Sequence, residues 1–252
     1  MPNTTEPMLA DPPMSLDTGL ASRPGGTALR THPGSRRTMV DPDVIYRHVS
    51  GGQPSWISDT TGVRRPLPIA RWMGGTASTD EDREVDEAIL DLCQGPTIDI
   101  GCGPGRFTAA LAARGVPVLG VDISGTAVEM TVKRGGPALQ GDVFDPMPDG
   151  GRWARVLLAD GNIGIGGDPL RMLRRARQLL HPQGLVVAEI DARATGVCTR
   201  FQRWETHHHV GRWFPWSHVG SDAAGTLAEA AGLFLAHVVE RSGRYIVAMG
   251  VR

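Results

Sequence analysis

The chain holds only three cysteines in 252 residues. Cys93, Cys102 and Cys198 are odd in number and widely spaced, which excludes a disulfide framework and a cysteine-based zinc pattern and suits a reducing cytoplasm. No apolar run approaches the roughly 18 residues that a membrane span requires. The N-terminus is rich in Pro, Thr and Asp where a secretory signal needs an apolar stretch. A formal net charge of −1 gives no electrostatic footprint for duplex nucleic acid or an anionic membrane. The expectation from these absences is a soluble cytoplasmic protein whose partner is a small molecule, not a membrane, with nucleic acid disfavoured. Nothing in the sequence addresses oligomeric state.

Against that background one stretch organises the rest. Gly95 and Pro96 break the chain, Thr97 to Ile100 reads as a short buried strand, and Gly101, Gly103 and Gly105 follow at alternate positions before a helix starting near Phe107. Glycine lets bare backbone approach a ligand, and a helix start adds unpaired N–H donors and partial positive charge. Asp99 sits two residues before the first glycine. The spacing G-x-G-x-G differs from the G-x-G-x-x-G dinucleotide fingerprint. A second strand, Pro117 to Asp122, ends in a carboxylate about twenty residues on, where an acid in such folds accepts from a ribose diol.

The pattern Asp-x-Gly-x-Gly-x-Gly followed by that acid resembles class I S-adenosylmethionine-dependent methyltransferases. The resemblance spans about residues 78–252, firm through Asp191 and weaker beyond. It implies an α/β, Rossmann-like three-layer sandwich with a mostly parallel seven-stranded sheet and an antiparallel last strand. It also implies S-adenosyl-L-methionine as cofactor, S-adenosyl-L-homocysteine as product, and a cofactor site built from Asp99, Gly101, Cys102, Gly103, Gly105, Arg106, Asp122 and Ile123. An acid after the third strand is the family's adenine-contacting position, which falls on Asp142 with Val143 offering an N–H. Asp160, Gly161 and Asn162 open a glycine-rich loop after the fourth strand, where the transferred methyl group commonly lies; the same residues also suit helix capping and turn shaping.

Read for organisation, residues 1–38 carry six prolines and no apolar periodicity, the pattern of a disordered tail. Residues 39–77 read as an N-terminal extension or lid. Residues 78–252 read as the catalytic domain, with helix signals from Ser78 to Cys93, capped by Ser78 or Thr79, and residues 192–220 as an insertion over the substrate. That insertion holds His207, His208, His209 and His218. As a group they are candidate catalytic bases, since histidine titrates near neutrality. Asp191 and Glu205 are further candidates. Three consecutive histidines do not converge on a helix, so no metal is assigned.

No Asn-Pro-Pro-Tyr-type motif follows the fourth strand, which disfavours methylation of an exocyclic base nitrogen or a glutamine amide. The expected reaction is methyl transfer to an oxygen of a small organic metabolite. The alternatives are N- or C-methylation of a small molecule, RNA or protein, a catalytically silent cofactor-binding module, or a nicotinamide-dependent oxidoreductase.

Overall fold

The computed structural model describes residues 38–40 and 42–252. The expected tail over residues 1–38 lies almost entirely outside them.

The chain begins with β1 (Thr38–Val40), α1 (Pro42–Ser50), β2 (Ser55–Asp59), β3 (Arg64–Pro66) and α2 (Ile69–Met73). Next comes α3 (Asp80–Leu92), whose N-cap is Thr79: its side chain accepts from Asp82 N. Thr79, not Ser78, therefore satisfies an orphan donor of the first turn, and three acids there suit the helix dipole.

Alternation of strand and helix follows, through β4 (Thr97–Ile100), α4 (Arg106–Ala113), β5 (Val118–Asp122), α5 (Gly125–Lys133), β6 (Ala138–Gln140), β7 (Trp153–Leu158), α6 (Pro169–Leu179) and β8 (Leu180–Ile190). Three more strands, β9 (Val197–Thr206), β10 (His209–Gly211) and β11 (Phe214–Val219), precede α7 (Ser221–Ala230) and the closing hairpin β12 (Leu233–Arg241) and β13 (Arg244–Val251). Ser242 and Gly243, both at positive φ, make the hairpin turn that their residue types suggest.

Seven strands form one sheet in the order β12-β13-β8-β7-β4-β5-β6, parallel except that β13 runs antiparallel to both its neighbours. Both faces are covered, and the strand residues alternate accordingly. Val156 and Leu158 of β7, Val186 and Ala188 of β8, and Val247 and Met249 of β13 pack with α6 and α7. Leu157, Val187 and Ile246 point the other way, into the layer with α3 and α4. The order reverses between β4 and β7, since β5 lies on one side of β4 and β7 on the other. A crevice opens at such a switch point, outside the carboxyl ends of the strands.

A second sheet forms above. Its order is β1-β10-β9-β2-β3, with β11 also on β9. The N-terminal segment and the insertion after β8 therefore build one structure together: Val197 to Gln202 of β9 pair with β11, and Gln202 to Thr206 pair with β2.

Candidate cofactor and acceptor site

The two sheets enclose a cleft of about 1020 Å³. Its floor is the carboxyl edge of β4, β5, β7 and β8, and its roof comes from α1, the β3–α2 segment and one face of β9 and β11. The volume exceeds the upper end of the usual pocket range, about 300–1,000 Å³, which leaves room for two ligands side by side.

At the floor, Gly101, Gly103 and Gly105 all take positive φ. A Cβ on Gly101 would lie 2.6 Å from Asn162 Nδ2, and one on Gly105 would lie 2.8 Å from the Thr131 backbone. Gly103 has open space above it, its nearest neighbour being Tyr46 Oη at 3.5 Å from an added Cβ. The turn is thus bare where it faces the cleft and tight where it faces the protein.

Asp122 is buried, and its two oxygens accept from Gly103 N and Ser124 N, each at 2.9 Å. Burial raises its pKa against the pull of those two amides. Asp99 lies behind the turn, 1% exposed, accepting from Thr108 Oγ1 at 2.7 Å; burial lifts it from 3.8 to about 6. Cys102 is buried, and desolvation raises its thiol pKa far above the ordinary range, so it is an inert filler of the turn. Ile123 lines the cleft while 66% exposed, an apolar platform at its mouth. Asp142 accepts from Phe144 N at 2.9 Å, and Val143 is buried with its carbonyl held by Arg175.

Beyond β7, Asp160 has a left-handed backbone (φ 51°) and donates its N–H to Glu189 Oε2 at 3.0 Å. Its carboxylate is the hub of an arginine cluster: Arg106 Nη2 at 2.6 Å, Arg71 Nε at 3.2 Å and Arg244 Nη2 at 3.7 Å. Arg106 is also paired with Asp86, and Arg244 with Glu189. Asp160 Oδ1 and Arg71 Nε are both buried, and neither has a hydrogen-bond partner among the described residues. Asn162 Nδ2 donates to the carbonyls of Ile100 and Gly101, bracing the glycine turn from below.

The glycines of the loop after β7 have a different cause from the one their composition suggests. A Cβ on Gly164 would fall 1.9 Å from Ser217 O, and one on Gly167 2.7 Å from Pro215. The close approach is to β11 of the roof, and Ile165 bridges to Trp216 there.

Of the four histidines, one lines the cleft. His218 Nδ1 lies 3.0 Å from Asp191 Oδ2, and its Nε2 lies 2.8 Å from Gln202 Nε2. With Asp191 as acceptor, Nδ1 carries the proton and Nε2 accepts from the glutamine amide. His207 packs edge-on to Trp56 and His209 against His48, while His208 follows in the β9–β10 turn; none of the three lines the cleft. Glu205 is buried and tied to Arg64 and Arg203. Among the described residues no group of three or more His, Cys, Asp or Glu is arranged to hold a metal ion.

Sequence patterning misses Arg71, Glu189 and Arg244. An acid inside the apolar run of β8 is the one local signal for the Glu189–Arg244 pair. Arg71 has none, because its partner is about ninety residues away in sequence.

The residues present fit the methyl donor. An open glycine cradle and a buried carboxylate at the end of β5 suit a nucleoside. The Asp160 carboxylate, lining the cleft beside the turn, suits the ammonium of an amino-acid end.

Residues 80–238 match the family model described as a methyltransferase domain. Among solved structures, a Bacteroides fragilis S-adenosylmethionine-dependent methyltransferase in complex with S-adenosyl-L-homocysteine is 19% identical, covering 82% of this chain and 92% of that one at a TM-score of 0.68. The CcbJ methyltransferase from Streptomyces caelestis is 19% identical over 71% of this chain and 92% of its own, TM-score 0.53. A Burkholderia thailandensis 1,6-didemethyltoxoflavin-N1-methyltransferase is 17% identical over 69% of this chain and 79% of its own, TM-score 0.51. Among curated protein sequences none matches this chain significantly. At these identities the structural likeness establishes the fold.

Proposed function

Because the chain belongs to the methyltransferase-domain family and is an S-adenosylmethionine-dependent methyltransferase, we propose that it methylates an oxygen of a small organic acceptor held under the second sheet, with His218 as general base. The observation that carries this reading is the Asp191–His218 pair in the wall of the cleft. When bound, the cofactor supplies an activated sulfonium methyl group. What remains for the protein is alignment, where proximity contributes up to roughly 7–11 kcal/mol, and proton removal from a weakly nucleophilic hydroxyl.

In this reading Asp122 takes the ribose hydroxyls on its remaining lone pairs. Ile123 lies on one face of the adenine, and Asp142 with Val143 meets its edge. The turn Gly101 to Gly105 and the start of α4 border the amino-acid end, whose ammonium goes to Asp160, with Gly161 backbone beside it. Asp99, Cys102, Arg106 and Asn162 act at one remove, fixing the turn and the Asp160 carboxylate. Asp191 fixes the imidazole tautomer and stabilises the cation formed when Nε2 takes a proton; the acceptor hydroxyl displaces Gln202 from that nitrogen.

The test is incubation of a metabolite extract with enzyme and deuterated-methyl cofactor, read by mass spectrometry, followed by kinetics of His218→Asn on the product identified. The variant should bind S-adenosylhomocysteine normally and lose roughly 10²–10⁴-fold in kcat, together with the acidic limb of the pH–rate profile. An undiminished kcat rules out His218 as base and favours N-methylation, in which the acceptor nitrogen is already nucleophilic.

A further inference from the structure

The roof of the cleft shows a selective gap in charge pairing. Arginines elsewhere on the second sheet have acid partners: Arg64 and Arg203 share Glu205, and Arg200 pairs with Asp59. Arg64 also lies over the Trp56 ring, on the face away from the cleft. Its neighbour Arg65 points the opposite way by strand alternation. Arg65 is in register with Ile57, and Ile57 with Trp204, so the three share the cleft-lining face. Arg65, Arg193 and Arg212 line the cleft, and none of the three forms an ion pair among the described residues; Arg193 lies beside Asp191, whereas Arg65 is on the far strand of the second sheet.

The acids of the cleft are already engaged. Asp99 is bonded to Thr108, Asp122 to two backbone amides, and Asp142 to Phe144 N. Asp160 and Glu189 serve Arg71, Arg106 and Arg244, while Asp191 serves His218. No carboxylate of the cleft remains for Arg65 or Arg212.

Between Arg65 and His218 the lining is aromatic. Trp204 sits in the middle, 5.2 Å from Tyr46, 5.7 Å from Trp72 and 6.3 Å from Phe214, with Trp216 a further 6.1 Å from Phe214. Phe214, Trp216 and His218 alternate along β11 and so share one face, with Gln202 opposite Phe214. A lane of rings with a base at one end and the unpaired Arg65 guanidinium on β3 at the other has a definite complement. We infer that the acceptor is a flat aromatic compound that carries a carboxylate remote from the oxygen methylated, its rings stacked on Trp204 with Phe214 edge-on to them and its carboxylate held by Arg65. The guanidinium fork matches a carboxylate in plane, and the ring faces favour stacking. This inference rests on the acceptor occupying the cleft as proposed above, but not on which atom receives the methyl group.

The test uses full-length protein saturated with S-adenosylhomocysteine and titrated with 6-hydroxy-2-naphthoate or its neutral isostere 6-hydroxy-2-naphthamide, read by tryptophan fluorescence. The acid should bind at least about tenfold more tightly than the amide, as a charge-assisted pair requires. In Arg65→Gln the preference should collapse to within about twofold, with S-adenosylhomocysteine affinity unchanged. Equal affinities in the wild type, binding of neither compound, or a preference that survives in an Arg65→Gln variant of normal cofactor affinity would overturn the inference. Failure of S-adenosylhomocysteine itself to bind would instead remove the reading beneath it.

Discussion

At the scale of single residues, position in the turn decides which substitutions cost stability and which cost function. Gly105 is the structural one: φ is 86°, and an added Cβ would meet Thr131 backbone at 2.8 Å. Left-handed strain and overpacking combine, so Gly105→Ala should lose about 2–5 kcal/mol in urea unfolding. Asp99 offers a second prediction. The folded chain holds its proton more tightly than the unfolded chain, with a pKa moved from 3.8 to about 6 by burial. Its stabilising contribution is therefore complete below about pH 4 and is lost as pH rises through about 6. At roughly 1.4 kcal/mol per tenfold change in proton affinity the loss is about 3 kcal/mol. Asp99→Asn keeps an acceptor for Thr108 and removes the titration. The wild-type-minus-variant difference in unfolding free energy should fall between pH 4 and pH 7, and a flat difference would contradict the assignment. The same scale shows why local reading separates these residues poorly from their neighbours. The motif marks Asp99 and Asp122 alike as acids by the turn, yet Asp99 faces a threonine behind it and Asp122 the cleft-side amides. Four histidines in one segment look equivalent until strand pairing turns His218 toward Asp191 and leaves His207 and His209 against Trp56 and His48.

At the scale of elements, what the sequence shows is what is local. Apolar periodicity, caps and turn residues place α3, the unit from β4 to α5, β6 and the β12–β13 hairpin within a residue or two of their observed bounds. At Pro182 and Gly184, residue types that favour a turn, the chain is instead within β8: α6 stops at Leu179, and β8 already pairs at Leu180 before its register shifts. Residues 38–66 are the harder case. Strands of three to five residues pair there with a segment from far along the chain, and no local pattern encodes that choice. Their attachment also runs through α2, whose Arg71 reaches the half-buried Asp160. Arg71→Ala should speed amide hydrogen exchange across residues 69–74 by about tenfold or more, the loss of one partly buried charge contact. The exchange of β4 and β7 should not change. Protection unaltered at residues 69–74 would show that the ion pair does not tether the element.

At the scale of the whole molecule, the cleft lies between the two sheets, so filling it should stabilise them together. A ligand at 100 times its Kd adds about 2.7 kcal/mol. For a folded unit of this size that corresponds to a rise in Tm of roughly 5–11 °C. S-adenosylhomocysteine should produce that shift in wild-type protein and a much smaller one in Asp122→Ala at the same concentration, measured by differential scanning calorimetry. An equal shift in both would remove Asp122 from the cofactor site. The pairing of Ser55 with Thr206 also bears on how the chain emerges from the ribosome. At about 5–20 residues per second, the β2 segment waits roughly eight to thirty seconds for its partner to be made. During that interval Trp56 and Ile57 have β3 on one edge and none of β9 on the other, beside Arg64 and Arg65, whose charge discourages sticking to other nascent chains. The two cationic side chains that part to opposite faces in the finished sheet thus put charge beside that open edge before β9 exists to cover it.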